Sequence, residues 1–323
     1  MISRCLRLPL TVIFLLSMGE WAQSGVKLKP ETVQGYDRYV QDLETSFQKR
    51  LSGEMPFLWS DQKPEHRAAL KRGRILIDEL KDLPEVPGAR IHVWLGAVFI
   101  PGAVSADVLS VLMDFDRHRE WYPEVLDSRL LSRDEYSLRG YQRLRMKKIL
   151  TVIFNTEHEV VYTKVSPKRW RGVSRSTRIA EVKDAGMPKE REMPVGDDRG
   201  FMWRLNAYWH LEEREGGVAA ECWAVTLSRK IPFGLRWMLK PLVTSVPRQA
   251  LRNTLRGTRQ AVLDGRRGGA RNAQRRVDWA YIRREGRSHE ATTVTAANIG
   301  PWAVGSKGAL RRRSLAARSI GSA

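Results

Sequence analysis

The feature that most constrains this chain is a long block of strand-type segments that ends in a helical block. Residues 201–211 and 217–229 both alternate between two kinds of side chain, and Glu215-Gly216-Gly217 lies between them. Paired glycines supply the positive φ that a tight turn needs, so the two segments are predicted to form a hairpin. After Pro232 the apolar residues recur with a helical period instead. The last helix must therefore lay its apolar face on the sheet that precedes it.

The alternation in residues 201–211 defines an aromatic face and a more polar row. The aromatic face contains Phe201, Trp203, Leu205, Ala207, Trp209 and Leu211, and the polar row contains Met202, Arg204, Asn206, Tyr208 and His210. The next segment offers Trp223, Val225 and Leu227 on one face and small residues on the other. We expect the aromatic faces to form the core together with Leu251 and Leu255 of the last helix. The polar row, including His210, is expected to point away from that core.

The remaining elements are predicted from periodicity. Strands are expected at 89–100, 125–134, 139–152, 155–165 and 170–183, with two short helical segments at 106–115 and 119–123. An amphipathic helix is expected at 30–51, and 74–80 is equally consistent with a strand or a helical turn. Pro241 interrupts a short apolar segment at 233–243, and Pro247 is predicted to start a separate long helix at 248–263.

This order of elements resembles that of the START-like (SRPBCC) superfamily, which includes polyketide cyclase/dehydrase-type and lipid-transport domains and has the helix-grip fold. The resemblance covers about residues 89–264. Its carriers are 106–115 with Trp121-Tyr122-Pro123-Glu124-Val125, the hairpin at 200–229, the exit Ser228-Arg229-Lys230-Ile231-Pro232 and the helix from Pro247. It implies an α+β fold in which a curled antiparallel sheet wraps around a long C-terminal helix, with a tunnel that often holds a hydrophobic ligand. Catalytic residues vary within the family, so none is carried over.

We divide the chain into a signal peptide (1–24), a helical N-terminal extension (25–88), a START-like ligand-binding domain (89–264) and a basic disordered tail (265–323). Arg4 and Arg7 precede a short apolar run, and Ala22-Gln23-Ser24 offers the small residues that a signal peptidase reads. This layout predicts export to the periplasm or the exterior, and an ordinary N-terminal helix of a cytoplasmic protein is the alternative. With only Cys5 and Cys222, a disulfide scaffold is excluded.

The charge is basic and uneven. The chain has 56 Lys and Arg against 36 Asp and Glu, and residues 265–323 hold 13 of these cations against 3 acidic residues. A basic excess often favours nucleic acid or anionic membranes as partners. In residues 265–323 the apolar residues recur with no sustained helical or strand period, and aromatic residues are few. We therefore interpret this basic segment as a solvated, disordered tail. An out-of-frame reading of the gene's end is the alternative. No specific nucleic-acid binding is expected.

Motifs for catalysis and metal binding are missing from the sequence. There is no Gly-x-Ser-x-Gly elbow, phosphate-binding glycine loop or Cys-x-x-Cys pair. His158-Glu159 lacks the second histidine of a zinc protease, and Glu157 with Glu159 is more simply explained as a solvated strand face. A charged surface turn likewise explains the alternating residues Asp114, Asp116, His118 and Glu120. We therefore predict no catalytic residues, no metal site and no cofactor.

The sequence thus favours non-catalytic binding or transport of a lipid or other hydrophobic small molecule. The predicted ligand-binding residues are Trp203, Leu205, Trp209, Trp223, Val225, Leu251 and Leu255. Two alternatives stay open: an aromatase/cyclase-type enzyme that uses polar tunnel residues, and a structural or interaction protein with a filled core. Transient membrane contact is predicted for Leu235, Trp237, Met238 and Leu239, with a lid packed on the sheet edge as the alternative.

Overall fold

A computed structural model describes residues 25–147, 150–231 and 236–268 of the chain. The helices are α1 (Pro30–Leu51), α2 (Pro64–Lys71), α3 (Ser105–Met113), α4 (His118–Trp121) and α5 (Arg236–Gly268), with 3-10 turns at Trp59–Asp61 and Phe115–Arg117. The strands are β1 (Val26–Lys27), β2 (Leu76–Leu80), β3 (Ala89–Pro101), β4 (Val125–Asp134), β5 (Ser137–Lys147), β6 (Thr151–Ser166), β7 (Arg169–Lys183), β8 (Arg191–Glu192), β9 (Asp197–Asp198), β10 (Arg204–Arg214) and β11 (Gly217–Arg229).

The main sheet is antiparallel, with the strand order β2-β3-β11-β10-β7-β6-β5-β4, and β8 pairs with β7 beside this path. Strands β1 and β9 form a separate two-stranded sheet. The hairpin β10–β11 is present, and its register pairs Arg214 with Gly217 and Trp209 with Cys222. At the turn, Gly216 has a φ of 78° and Gly217 a φ of 154°, as the glycine pair predicts.

Helix α5 packs on one face of the sheet, which we call the inner face. It contacts β2, β3 and β11 near one edge and β5 near the other, so the sheet curls around the helix. Gly96 of β3 makes the close approach possible, because a Cβ at that position would lie 2.5 Å from Leu255 Cδ1 and 3.1 Å from Leu251 Cδ2. Leu251 and Leu255 are both buried. The α+β class with a curled antiparallel sheet around the C-terminal helix is therefore confirmed.

The N-terminal helix α1 covers the opposite, outer face of the sheet. Its apolar stripe contributes Tyr36, Leu43 and Phe47 to a cluster with sheet residues that include Val93 and Val225. Each large apolar side chain buried in this way contributes roughly 1.5–3 kcal/mol. The extension also supplies β2, which pairs with β3 and becomes the edge strand of the main sheet. Both faces of the sheet are thus covered around β3, β11 and β10.

The C-terminal helix differs from its prediction. Residues 236–268 form one helix, so Pro241 and Pro247 lie within it and the expected separation into two helices is wrong. Each proline removes one backbone N–H donor, and the helix continues because its other backbone bonds remain. The helix also runs to Gly268, into the segment interpreted as tail. The signal-peptide segment 1–24 and residues 269–323 lie outside the described residues.

No helix in the described ranges combines the length and the apolar character that a membrane crossing requires.

Candidate functional site

A cavity of about 270 Å³ lies between the inner face of the sheet and helix α5. Helix α5 contributes Val246, Pro247, Ala250, Leu251 and Thr254 to its wall. The cavity is somewhat smaller than the roughly 300–1,000 Å³ typical of small-molecule sites. A cavity of this volume has room for one compact small molecule.

Small residues on the central hairpin create this space. Ala207 of β10 lies directly opposite Ala224 of β11, and Trp209 lies opposite Cys222. All four side chains line the cavity. The small side chains leave room beneath α5, while Trp209 forms an apolar wall. Burial raises the pKa of the Cys222 thiol, which keeps it neutral and makes it part of that wall.

Three buried histidines line the same cavity: His92 on β3, His118 on α4 and His158 on β6. Loss of solvation lowers the pKa of each to about 4, so all three are neutral near pH 7. Charge repulsion from Arg90 adds to this effect on the pKa of His92. The cavity therefore presents imidazole hydrogen-bonding groups without positive charge on the histidines.

His118 is held in place from two sides. Its Nε2–H donates to the carbonyl oxygen of Val111 at 3.3 Å, and its Nδ1 accepts from Gln142 Nε2 at 2.8 Å. The preceding 3-10 turn fits against β5 at Gly140, where a Cβ would collide with the ring of Phe115. The Phe115 and His118 rings are 4.4 Å apart. A glycine on the sheet thus lets this turn bring a histidine into the cavity wall.

His158 is bonded on one side only. Its Nε2 lies 3.1 Å from Thr156 Oγ1, while its Nδ1 has no hydrogen-bond partner among the described residues. Two tyrosines of the cavity wall have hydrogen-bond partners: Tyr122 OH bonds with Thr258 Oγ1 at 3.0 Å, and Tyr162 OH donates to the Leu112 carbonyl at 3.5 Å. Burial raises the pKa of both phenols, which keeps them protonated. The described residues contain no group of three or more His, Cys, Asp or Glu that could hold a metal.

Comparison with known proteins gives matches among solved structures. One is a STAR-related lipid transfer protein from Xanthomonas axonopodis, 18% identical with a TM-score of 0.39, covering 58% of this chain and 98% of that chain. Human STARD10 is 12% identical with a TM-score of 0.40, covering 64% and 81%. The Zhui aromatase/cyclase from Streptomyces sp. R1128 is 9% identical with a TM-score of 0.39, covering 57% and 99%. No family model and no curated protein matches the chain.

The curled sheet and the helix that closes it decide the fold. The chain has a helix-grip fold. This is the fold that the resemblance seen in the sequence implies. The cavity of this fold lies between the sheet and the last helix, where the resemblance implies a tunnel.

The helix-grip fold brings only part of the predicted ligand site together. Leu205, Trp209 and Leu251 line the cavity. Leu255 is fully buried but packs against β3 over Gly96 and is not part of the cavity wall. The segment around Leu235 and the side chains of Trp237, Met238 and Leu239 lie outside the described part of the chain.

Trp203, Trp223 and Val225 lie on the other face, so their expected orientation toward the cavity is wrong. Directly paired residues share a face of a sheet, and Trp223 is paired with Tyr208, whereas Trp209 is paired with Cys222. Trp203 precedes the first residue of β10, and the alternation does not extend back to it. Its indole donates to Asp198 Oδ1 at 3.0 Å beneath the N-terminal extension.

The polar row of β10 does point away from the cavity, but helix α1 covers much of it. Asn206, Tyr208 and His210 are buried, and the His210 ring lies 5.1 Å from Phe47 and 5.4 Å from Phe57. Both His210 ring nitrogens lack hydrogen-bond partners in the described ranges. Burial, together with the positive charges of Arg171 and Arg50, lowers the pKa of His210 to about 3. This histidine is therefore a neutral part of the outer core.

The carboxylates considered in the sequence do not form a site. Glu157 is paired with Arg139 at 3.3 Å near the surface, and Glu159 is exposed. In the turn before β4, Asp116 accepts from the Leu130 backbone at 2.8 Å and Glu120 pairs with Arg117 at 2.8 Å. These contacts fit a charged surface turn.

Sequence reasoning missed the polar wall of the cavity. It treated His118 as part of the surface turn and considered His158 only as part of a zinc motif. The signal that identifies His158 is the alternation in β6, where every second residue is buried: Phe154, Thr156, Val160 and Tyr162. His158 belongs to the same alternating set, so it is expected to point inward with them. His118 carried no comparable signal, because it follows an irregular turn.

Proposed function

We propose that the cavity binds one compact, hydrophobic small molecule or single-chain lipid and that the protein acts as a non-catalytic carrier for it. The observation that carries this proposal is a largely apolar cavity beneath α5 whose histidines are neutral. The solved structures similar in fold include proteins described as lipid transfer proteins. A cavity of this kind gains affinity by removing apolar ligand surface from water.

Replacing Ala250 by phenylalanine is expected to weaken ligand binding about tenfold or more. Ala250 lines the cavity from α5, so a larger side chain there competes with a ligand for the same space. Binding is measured by fluorescence titration with N-phenyl-1-naphthylamine, an uncharged apolar dye. Native mass spectrometry and solvent extraction of the purified protein then test for a ligand acquired in the cell.

The matched control is Gln249→Phe, because residue 249 neighbours Ala250 on the same helix but is exposed. Its dye affinity should stay within about twofold of the wild-type value. Wild-type affinity in Ala250→Phe would show that the dye binds elsewhere and would contradict the proposed site. Failure to bind the dye or any extracted apolar compound would contradict the carrier function itself.

An aromatase/cyclase-type enzyme is the second candidate, because His118, Gln142 and His158 do face the cavity. A neutral imidazole is able to accept a proton, which is the first requirement of a general base. Mass spectrometry of the bound compound after prolonged incubation separates the two functions. A carrier returns its ligand unchanged, whereas an enzyme returns an altered product.

We further propose that the carrier is exported and loses residues 1–24. The basic start, short apolar run and small residues before position 25 support this proposal. The test is N-terminal sequencing of protein recovered from each cell fraction. Recovery of an intact N-terminus from the cytoplasm alone would overturn it.

A further inference from the structure

The polar wall of the cavity has a defined arrangement of hydrogen-bond donors and acceptors. One part of it is formed by Gln142 on β5, His158 on β6 and His118 on α4, and His158 is bonded to Thr156 of β6, which does not line the cavity itself. Thr156 Oγ1 donates to the backbone oxygen of Gln142 at 3.0 Å. A threonine hydroxyl has a single hydrogen, so Thr156 is left as an acceptor toward its other neighbour, His158 Nε2 at 3.1 Å.

This chain of hydrogen bonds fixes the tautomer of His158. Nε2 must carry the hydrogen in order to donate to Thr156, and Nδ1 of the neutral ring then carries a lone pair. His118 has the same tautomer, but Gln142 already donates to its Nδ1 at 2.8 Å. His158 Nδ1 is buried and has no such donor among the described residues. The wall is therefore short of one hydrogen-bond donor at His158.

We propose that the ligand is an uncharged, hydrophobic alcohol or phenol whose hydroxyl donates a hydrogen bond to His158 Nδ1. This inference rests on the proposed carrier function and specifies the ligand class. A hydrocarbon would leave the acceptor unsatisfied. A carboxylate would place a lone pair and a negative charge against a ring nitrogen that is itself an acceptor, and burial opposes the imidazolium that such an anion needs.

Three probes of one shape test the ligand class: naphthalene, 2-naphthol and 2-naphthoate. Titration of the wild-type protein should give 2-naphthol an affinity roughly three- to tenfold higher than naphthalene, as expected for one net hydrogen bond. 2-Naphthoate should bind more weakly than both. In His158→Phe, naphthalene should still bind and the advantage of 2-naphthol should disappear.

A second variant tests the positioning role of Thr156. Thr156→Val removes the acceptor that holds the hydrogen on Nε2, so either tautomer becomes available to His158. The preference for 2-naphthol over 2-methoxynaphthalene, which has no O–H, should fall at least threefold. Thr163→Val is the control, because residue 163 is exposed on the same strand and should leave this preference unchanged. Long-range ¹H–¹⁵N NMR of the wild-type ring should independently show hydrogen on Nε2 and none on Nδ1.

The outcomes separate this inference from the carrier function. If naphthalene and 2-naphthol bind equally well, or if 2-naphthoate binds best, the ligand class is wrong while the carrier function stands. A hydrogen on Nδ1 in the unliganded protein also overturns the inference, even if His158→Phe fails to fold. If none of the three probes binds while N-phenyl-1-naphthylamine does, the ligand class is wrong and the carrier function stands. If the dye also fails to bind, both proposals fail.

Discussion

Replacing His210 by leucine is expected to make the protein clearly more resistant to acid. The pKa of His210 is lowered from 6.5 to about 3 in the folded protein, so the folded state binds its proton less readily than the unfolded state. The stabilisation is complete above pH 6.5 and is lost as the pH falls toward 3. At pH 4 this loss is about 3 kcal/mol of unfolding free energy in the wild type, and the leucine variant avoids it.

The groups facing His210 explain why it is so hard to protonate. Arg50 on α1 and Arg171 on β7 are both cations, and the rings of Phe47 and Phe57 supply the remaining apolar surroundings. At pH 7 the leucine variant should lie within about 1 kcal/mol of the wild type, because it removes an unsatisfied polar ring while losing ring contacts. Urea unfolding at pH 7 and pH 4 measures both differences.

Phe57→Leu is the control for this experiment. Its side chain borders the same ring but does not titrate, so its loss of stability should be the same at both pH values. Glu221, also buried on the outer face, acts with the opposite sign: burial raises its pKa to about 7, so it favours the folded state at low pH and loses that effect as the pH rises through 7. Comparing variants isolates His210 from this contribution. Parallel pH profiles of wild type and His210→Leu would contradict the prediction.

Replacing Gly257 by alanine is expected to destabilise the protein by about 2–3 kcal/mol. In an isolated helix the same change stabilises by about 1 kcal/mol, because glycine is a poor helix former. Here a Cβ would collide with the backbone oxygen of Trp121 and approach Tyr122 Cδ1 to 3.0 Å. A backbone atom cannot move aside as the end of a side chain does, so α4 and α5 would have to separate.

Gly265→Ala supplies the control on the same helix. A Cβ at position 265 meets nothing within 4 Å, so this variant should be stabilised by up to about 1 kcal/mol. Thermal and urea unfolding of the two variants should therefore change in opposite directions. A stabilised Gly257→Ala protein would show that the contact between α5 and the Trp121 backbone is looser than the structure indicates.

The order of elements was predictable, because strands and helices have different apolar periods and the hairpin carries its own turn signal. The start of α5 was predicted wrongly because of its two prolines. Proline is unfavourable within a helix, but its missing N–H does not prevent the helix from continuing. The covering of the outer face by α1 was not predictable. Its apolar stripe is visible in the sequence, but nothing in the sequence of α1 determines which of the two faces of the sheet this stripe packs against.

The candidate site was likewise predictable only in part from local sequence signals. The orientation of Trp209 follows from strand alternation, and the true side of Trp223 and Val225 follows from the register that the glycine turn sets. This register pairs Trp223 with Tyr208 and Val225 with Asn206, on the face away from the cavity. The cavity itself depends on the combined shape of Ala207, Ala224 and helix α5, which no single segment determines. His118 reaches it only because Gly140, far away in sequence, accommodates Phe115.

The packing of α1 on the sheet has a consequence for the order in which the chain folds during its synthesis. Glu44 of α1 accepts from Tyr208 at 2.8 Å, and the Ser60 backbone donates to Glu221 at 3.1 Å, across 164 and 161 residues of sequence. A ribosome that has completed only the first half of the protein has nothing with which to cover this helix. Contacts between such distant segments form slowly. The outer face of the sheet therefore receives its cover only after the final hairpin has emerged, so these contacts complete the fold rather than begin it.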